Sequence, residues 1–362
     1  MRLGIIGGGQ LGAMLAEAGN PLGVTSRVLD PQPASCVRRV ADCIEAEYDE
    51  PRALSELSDW AQILTYEFEN VPLDAVQGRP DVVPPPEALH IAQDRLHEKT
   101  FFQEHGVGTA PFAPVSRVQD LQEALVQVGT PAILKTRRLG YDGKGQALVN
   151  NVEEARAAFE ELGGVPCILE GVVDFRRELS VIAVRARNGD VRVYPLAENH
   201  HRGGILRWSI TPAPNLGDRQ DEAASIAVRL LEALDYVGVL TVELFDVDGP
   251  LVANEMAPRV HNSGHHTIEG AVTSQFENHV RAVLDLPLGS TDVLLPVGMV
   301  NLIGAEPPLE ALLAIEGVSV HRYVKAPRPG RKVGHVAVQG PDRTTVEQRL
   351  ARVRELVAEH EQ

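Results

Sequence analysis

The chain has 362 residues, more than one ordinary domain, and its 44% hydrophobic and 23% charged residues are typical of a globular protein. Lys and Arg total 34 against 50 Asp and Glu, and this net charge of −16 argues against a nucleic-acid-binding surface. No window approaches eighteen uninterrupted apolar residues, and the start becomes glycine-rich too early for a signal peptide, so neither a membrane span nor a secretory leader is expected. Three cysteines without metal-ligand spacing favour a reducing, cytoplasmic location.

The N-terminal segment alternates strands and helices around a glycine-rich turn. Residues 3–6 predict a buried strand, which is followed by the glycine-rich run 7–12, a helical run over 13–18 and a second strand ending at Asp30. The spacing Gly7-x-Gly9-x-x-Gly12 matches a dinucleotide-binding fingerprint. It leaves three interpretations open: nicotinamide binding, binding of another phosphate-bearing ligand, or turn geometry alone. Glu67 and Glu69 follow a third predicted strand, where ligand sites of α/β folds gather, although each could be a surface carboxylate.

The middle of the chain offers groups that suit a nucleotide. A helix is predicted over 87–104, and residues 111–184 indicate a small αβ unit. Lys135 ends an apolar strand, and the glycine-rich run 140–146 after it would close over phosphates, with a solvated turn as the alternative. The segment 170–173 would present backbone groups to an adenine edge and Glu178 would accept from ribose hydroxyls, unless they form a solvated charge cluster.

The densest set of reactive groups spans residues 254–265. Glu255 lies twelve positions after Glu243 across an Asp248-Gly249 turn signal, so a hairpin would bring the two carboxylates about 5 Å apart at Cβ. Adjacent carboxylates repel unless a cation lies between them, which indicates a hard divalent ion such as Mg²⁺. Because Arg259 and His261 follow closely and can hold another anion, the pattern predicts a metal-bound nucleotide together with a small anionic substrate.

Two further clusters are less specific. His200 and His201 are adjacent, and single histidines are more often structural than catalytic. A basic cluster in this acidic chain would capture a substrate phosphate, or it is a solvated loop. Its members are Lys325, Arg328, Arg331, Lys332 and His335.

Together these motifs resemble the ATP-grasp superfamily, and within it the family of N5-carboxyaminoimidazole ribonucleotide synthetases of purine biosynthesis. The resemblance extends over essentially the whole chain and is carried by residues 7–12, 65–69, 92–95, 135–136, 140–146, 198–201, 238–243, 254–265 and 331–335. It implies an α/β fold, with α+β character in the ATP-grasp part. The implied domains are an N-terminal Rossmann-like parallel-sheet domain (1–96), a mobile lid domain (97–184) and a catalytic domain with a small C-terminal β subdomain (185–362).

The resemblance also implies an activity and its ligands. We expect an ATP- and bicarbonate-dependent carboxylation of 5-aminoimidazole ribonucleotide to its N5-carbamate through carboxyphosphate, with Mg²⁺ or Mn²⁺ as the metal. A cytoplasmic homodimer is implied, with neither nucleic acid nor membrane as a partner.

Carried over position by position, the resemblance implies four groups of site residues. ATP would be held by Arg95, Lys135, Gly140, Tyr141, Asp142, Gly143, Lys144, Gly145, Gln146, Glu170, Gly171, Val172, Val173, Glu178, His201, Asn254 and Glu255. Glu243 and Glu255 would bind the metal. Arg259, His261 and Asn262 would position bicarbonate as catalytic residues. The ribonucleotide would contact Gln10, Glu69, Tyr141, Asp142, Lys325, Arg331 and Lys332.

Three alternatives compete with this assignment. Another ATP-grasp enzyme, such as biotin carboxylase or the formate-using glycinamide ribonucleotide transformylase, would share several motifs, although the full run from Arg259 to His265 is not expected there. A nicotinamide oxidoreductase rests only on the glycine-rich start. A catalytically dead regulatory subunit is disfavoured because Lys135, Glu243, Glu255 and Arg259 are all present.

Overall fold

A computed structural model describes residues 1–33, 35–140 and 143–360, in which three β-sheets carry the fold. The strands are β1 (Arg2–Ile6), β2 (Thr25–Leu29), β3 (Asp42–Ile44), β4 (Ile63–Tyr66), β5 (Phe112–Val115), β6 (Ala132–Thr136), β7 (Gln146–Val149), β8 (Cys167–Gly171), β9 (Arg177–Arg185), β10 (Val191–Val193), β11 (Ala197–Arg202), β12 (Ile205–Thr211), β13 (Gly238–Asp246), β14 (Val252–Ala257), β15 (Val297–Ile303), β16 (Val318–Arg322) and β17 (Lys332–Gln339). The helices are α1 (Gln10–Gly19), α2 (Pro51–Trp60), α3 (Leu73–Val76), α4 (Pro86–Ala92), α5 (Arg95–Glu104), α6 (Leu121–Val128), α7 (Val152–Glu161), α8 (Arg219–Ala233), α9 (Thr267–Gly270), α10 (Gln275–Val283), α11 (Leu309–Leu313) and α12 (Arg343–His360).

The N-terminal sheet has the order β3-β2-β1-β4 and is parallel throughout, as the alternating pattern predicts. Helix α1 packs on one side of it and α2 on the other. Both faces of β1 are therefore covered, which explains its continuous apolar sequence. The glycine-rich turn joins β1 to α1 at the carboxyl edge of this sheet, and the segment after β4 lies at the same edge.

The helix predicted over 87–104 is wrong in one respect, because the chain forms α4 and α5 with a break between them. Asp94 causes the break. Its side chain accepts the N–H of Leu96 at 3.1 Å as the N-cap of α5, and it also accepts two hydrogen bonds of 2.8 Å from the guanidinium of Arg137. The second helix therefore begins at Arg95, whose side chain faces the site described below.

A second, antiparallel sheet has the order β5-β8-β6-β7, with α6 and α7 packed against it over a small separate core. This sheet extends from Phe112 to Gly171. The expected lid segment 97–184 is longer than the sheet, since α5 contacts β14 and β9 pairs with β13 in the largest sheet.

The largest sheet has nine strands in the order β14-β13-β9-β11-β12-β15-β17-β16, with β10 on β9, and its pairs are antiparallel. Alternate residues of β9 face different cores: Leu179, Val181 and Ala183 pack with α8, and Ile182 and Val184 pack with α10 and the N-terminal domain. The C-terminal strands β15, β16 and β17 continue this sheet. Of the helices that the structure describes, none is both long and apolar enough to cross a membrane.

Candidate active site

A cavity of about 620 Å³ lies where the three sheets meet. Sixteen of the predicted site residues line it: Gln10, Glu69, Arg95, Lys135, Gly140, Gly143, Gln146, Glu178, His201, Glu243, Asn254, Glu255, Arg259, His261, Asn262 and Lys332. The described lining does not include Lys144, Gly145, Glu170, Gly171, Val172, Val173, Lys325 and Arg331. Tyr141 and Asp142 lie outside the described residues, so the roles expected for them stay predictions. Residues from widely separated segments of the chain, from Gln10 to Lys332, thus share one cavity.

The predicted carboxylate pair is present. Glu243 on β13 pairs directly with Glu255 on β14, and the register shift after Glu243 marks a bulge at that point of the hairpin. Burial, reinforced by the charge of Glu255, raises the pKa of Glu243 to about 7. This is the electrostatic signature of a site that lacks enough positive charge for both acids.

Arg95 approaches the pair from α5. Its Nη1 lies 3.2 Å from Oε2 of Glu255, and its Nη2 donates to the carbonyl of Gly140 at 3.5 Å. Burial alone would raise the pKa of Glu255, but Arg95 and Lys135 hold it below its usual range. Arg95 therefore connects the carboxylate pair to the glycine-rich segment.

The carboxylate pair fits a hard divalent cation. Glu243 and Glu255 are paired across the hairpin, and a cation between them would counter the burial and the repulsion that raise the pKa of Glu243. Within the described residues no group of three or more His, Cys, Asp and Glu side chains is arranged to hold a metal. An ion here would therefore take its remaining ligands from phosphate oxygens and water, as Mg²⁺ does when it is bound with a nucleotide.

Three buried charges connect the second sheet to α5. Oε2 of Glu170 lies 3.0 Å from Nζ of Lys135 and 3.3 Å from Nζ of Lys99, which also donates to the carbonyl of Asn254 at 2.5 Å. Burial would raise the pKa of Glu170, but the two ammonium groups keep it low. We name Lys99, Lys135 and Glu170 the Glu170 cluster; it holds the cavity-lining Lys135 in place.

Glu98, the residue before Lys99, was missed by sequence reasoning. It is buried, accepts the N–H of Met256 at 2.6 Å, and its pKa is raised to about 8 by burial and by Glu255. Charged residues on a helix usually face solvent, so nothing in the local pattern distinguished Glu98 or Lys99. Their inward orientation depends on α5 packing against β14.

A second end of the cavity is shaped by aromatic rings and an imidazole. Phe175 and Phe245 stack with ring centroids 4.6 Å apart and both line the cavity. His201 pairs through Nδ1 with Glu178. Burial lowers the pKa of His201, but this hydrogen bond and the charges of Glu243, Glu178 and Glu255 together raise it above its ordinary value. Sequence reasoning missed both phenylalanines, although Phe245 shares a strand face with Glu243 at the i, i+2 spacing.

The predicted anion-binding group lies beside the carboxylate pair. Nη2 of Arg259 is 2.5 Å from Oε1 of Glu69, and Nε of Arg259 is buried without a hydrogen-bond partner. Nδ1 of His261 receives the N–H of Ser263 at 3.3 Å, and Nε2 lies 3.5 Å from Glu243. Burial keeps the pKa of His261 well below its ordinary value, so the imidazole is neutral near pH 7.

Asn262 is held in one orientation. Its amide exchanges two hydrogen bonds with the amide of Asn301 on β15, at 3.0 and 2.6 Å. This reciprocal pair links the segment after the β13–β14 hairpin to the C-terminal strand β15. The side chain of Asn262 is therefore already ordered, and it loses little conformational freedom when a ligand binds.

The glycine-rich turn does not hold an external phosphate in the way the fingerprint suggests. Asp30 accepts the N–H of Gly8 at 2.6 Å, and Glu67 accepts those of Gly9 and Gly12 at 2.7 and 2.9 Å. Carboxylates of the chain itself therefore occupy the donors that a dinucleotide pyrophosphate would use. The nicotinamide interpretation loses its only support, and the turn instead presents Gln10 to the cavity.

The residues of the predicted basic cluster lie in different environments in the folded chain. Lys332 begins β17 and lines the cavity, and Nζ of Lys325 donates to Oε1 of Gln10 at 2.5 Å. Arg331 is half-buried and donates to the carbonyl of Ala326 at 3.3 Å. His335 is fully buried, with its Nδ1 2.8 Å from the hydroxyl of Tyr323, so its inclusion in a surface basic cluster is wrong. Both faces of β17 are covered, since residues 333–338 are all buried, so His335 lies in the interior.

Three family profiles match the chain: "ribonucleotide synthetase preATP-grasp domain" over residues 1–93, "ATP-grasp domain" over 100–276 and "phosphoribosylaminoimidazole carboxylase C-terminal domain" over 298–349. N5-carboxyaminoimidazole ribonucleotide synthase of Pseudomonas aeruginosa is 49% identical over 360 residues, with 99% of each chain covered. The crystal structure of N5-carboxyaminoimidazole ribonucleotide synthetase from Thermus thermophilus has 54% identity and a TM-score of 0.94, with 98% of each chain covered.

A structure of the synthase from Aspergillus clavatus, in complex with ADP and 5-aminoimidazole ribonucleotide, has 31% identity and a TM-score of 0.91. It covers 99% of this chain and 98% of its own.

Proposed function

Because this chain belongs to the N5-carboxyaminoimidazole ribonucleotide synthase family of ATP-dependent carbon–nitrogen ligases, we propose that it carboxylates 5-aminoimidazole ribonucleotide with bicarbonate and ATP. The products are the N5-carbamate, ADP and phosphate, in the purine pathway. One observation carries this proposal: the carboxylate pair, the Arg259–His261 group and Lys135 line a single cavity.

ATP binds, in this proposal, between the second sheet and the catalytic hairpin. Lys135 and Arg95 bind its phosphates, since both cations line the cavity and Arg95 also contacts Glu255. The segment 170–173 is outside the cavity lining but adjoins it, since Glu170 pairs with the cavity-lining Ile133, and we assign adenine to its backbone groups. Glu178 and His201, which line the cavity, bind the ribose side. The stacked Phe175 and Phe245 supply an apolar wall that suits a purine ring.

Glu243 and Glu255 would hold Mg²⁺, with Mn²⁺ as an alternative ion, and Asn254 lies beside them. When bound, the ion neutralises charge on the phosphates during transfer of the terminal phosphoryl group. Each acid already has a partner of its own: Glu255 pairs with Arg95, and Glu243 faces His261. These contacts restrict the orientation of both carboxylates.

Bicarbonate binds beside the carboxylate pair at Arg259, His261 and Asn262. One of its oxygens attacks the terminal phosphorus of ATP, and the bond to ADP breaks to give carboxyphosphate. The buried Nε of Arg259 and the ring of His261 supply donors to the carbonate oxygens in a site of low dielectric, where such contacts are strong. Asn262, fixed by Asn301, supplies a preoriented amide.

Carboxyphosphate then breaks at its C–O bond into CO₂ and phosphate. The exocyclic amine of the ribonucleotide forms the new C–N bond to CO₂ and releases a proton. Both intermediates react with or escape into water, so the cavity has to close. We assign closure to the glycine-rich run 140–146, in which Gly143 and Gly145 have φ of 75° and 72°, a conformation that favours glycine.

The ribonucleotide binds where all three sheets contribute. Gln10 and Glu69 come from the N-terminal domain, and Lys325, Arg331 and Lys332 from the C-terminal segment. Tyr141 and Asp142 complete the set by family resemblance. The phosphate is assigned to Lys332, which lines the cavity, and to Lys325, which lies just behind the lining and donates to the cavity-lining Gln10. Arg331, next to Lys332 in sequence, is the third cation assigned to it.

A cytoplasmic homodimer completes the proposal. All three cysteines are free, which suits a reducing compartment. Light scattering coupled to size exclusion tests the dimer, and a monomer at micromolar concentration would contradict it.

The decisive experiment is phosphate release from ATP with and without bicarbonate and 5-aminoimidazole ribonucleotide. We expect release to require bicarbonate and to rise when the ribonucleotide is added. Parallel reactions with glycinamide ribonucleotide plus formate, and with biotin plus bicarbonate, test the other ATP-grasp reactions. Stimulation by either of these acceptors, without stimulation by 5-aminoimidazole ribonucleotide, would overturn the proposal.

A further inference from the structure

Glu67 is buried inside the glycine-rich turn although it carries no role in the reaction derived above. It is 8% exposed, and its two carboxylate oxygens receive one N–H each, from Gly9 at 2.7 Å and from Gly12 at 2.9 Å. A Cβ atom added at Gly9 would lie 2.4 Å from Oε1 of Glu67. A helix N-terminus and a glycine turn bind a phosphate in this manner, so Glu67 takes the position of a bound anion.

The residues on either side of this contact face the ribonucleotide pocket. Gln10 follows Gly9 directly, lines the cavity and receives Nζ of Lys325 at 2.5 Å. Two residues after Glu67, Glu69 pairs with Arg259. The short segment after β4 therefore makes two contacts at this pocket: Glu67 holds the glycine turn, and Glu69 pairs with Arg259.

The charge balance agrees with this arrangement. Burial raises the pKa of Glu67, while the N–H groups of Gly12 and Gly9, followed by the charges of Lys325 and Arg259, oppose that effect. Both cations that act on Glu67 belong to the group proposed to bind substrates. Removing Glu67 would free two buried N–H groups and would leave Lys325 with less negative charge nearby.

We propose that Glu67 is a positioning residue for ribonucleotide binding, an internal carboxylate that replaces a bound anion in the glycine turn and so holds Gln10 and Lys325 toward the substrate. This inference rests on the proposed function for the identity of the substrate. The anion-like contact itself does not depend on that function.

The test compares Glu67→Ala, which opens the turn, with Glu67→Gln, which fills the space but cannot accept both N–H groups. For both variants we expect the KM for the ribonucleotide to rise about tenfold, the effect of losing a hydrogen bond to a charged group, while the KM for ATP stays within about twofold. Sodium acetate should lower the raised KM of Glu67→Ala, because it returns a carboxylate to the turn, and should not rescue Glu67→Gln. Glu56→Ala, at an exposed carboxylate of the same domain, is the matched control and should behave as the unaltered protein does.

Acetate should also raise the Tm of Glu67→Ala and leave that of the unaltered protein unchanged, a readout that requires no turnover. If Glu67→Ala does not fold, the KM values of Glu67→Gln decide the question. An unchanged KM for the ribonucleotide, an equal rise in both KM values, or a folded Glu67→Ala that does not respond to acetate would overturn the inference. Failure of the proposed function is distinguishable, since the unaltered protein would then show no ribonucleotide-dependent phosphate release.

Discussion

Glu170→Gln is expected to be among the most damaging single changes outside the carboxylate pair. The side chains of Glu170, Lys135 and Lys99 are only 4%, 10% and 2% exposed, so water screens their charges weakly. With an effective dielectric of about 20, separations of 3.0 and 3.3 Å correspond to roughly 5 kcal/mol of attraction for each contact. Most of this attraction is offset by dehydration of the three groups and by repulsion between the lysines.

Glu170→Gln leaves the buried ammonium groups of Lys99 and Lys135 without the carboxylate with which both are paired. Breaking a buried pair in this way costs about 3–5 kcal/mol, and we expect Glu170→Gln to lower the free energy of unfolding by that amount. Lys135→Met should cost less, because Glu170 keeps Lys99 as a partner. Both changes should raise the KM for ATP, since Lys135 is proposed to bind its phosphates.

Urea denaturation followed by circular dichroism measures the free energies, with Glu160→Gln, an exposed carboxylate on α7, as the matched control. The double variant Lys135→Met with Glu170→Gln should be less unstable than the sum of the single changes. A loss below about 1 kcal/mol for Glu170→Gln would refute the reasoning, because the three charges would then not depend on one another.

Three further predictions follow from the site and its surroundings. Glu255→Gln should abolish ATP turnover in the phosphate-release assay, because one acid of the carboxylate pair loses its charge; full activity would refute a metal-binding role. Lys332→Ala should raise the KM for the ribonucleotide and leave that for ATP within about twofold, and an unchanged KM would exclude Lys332 from the phosphate site. Acid should destabilise the fold through two buried histidines, since burial lowers the pKa of His279 from 6.5 to about 3 and that of His266 to about 4. Their folded pKa values lie below the unfolded value, so stability that is complete above pH 6.5 is lost as the pH falls. At pH 4.5 His279 alone should cost roughly 3 kcal/mol, and thermal unfolding at pH 7 and 4.5 should show a loss that His279→Gln reduces.

The hairpin formed by β13 and β14 could be predicted because the sequence pattern that specifies it is local. The Asp248-Gly249 turn and the period of two along both strands fix which residues face each other, and Glu243 indeed pairs with Glu255. The parallel N-terminal sheet could also be predicted from the sequence, since short apolar strands alternate with helices.

The parts that were not predicted depend on contacts between distant segments. Glu67 reaches the glycine turn only because β4 pairs with β1, more than fifty residues away in sequence. Glu98 and Lys99 resemble ordinary surface charges until α5 packs against β14. The break at Asp94 was missed although its cap on Leu96 is local, because the apolar pattern continues through it; its contact with Arg137, which follows β6, depends on the tertiary fold.

The unbroken hydrogen bonding from β13 through β12 and β15 to β17 has a mechanical consequence. Lys332 and the two acids belong to one sheet, so the distance between the phosphate site proposed at Lys332 and the proposed metal site is fixed once that sheet has formed. We therefore expect any adjustment to ligands to come from the separate β5-β8-β6-β7 sheet.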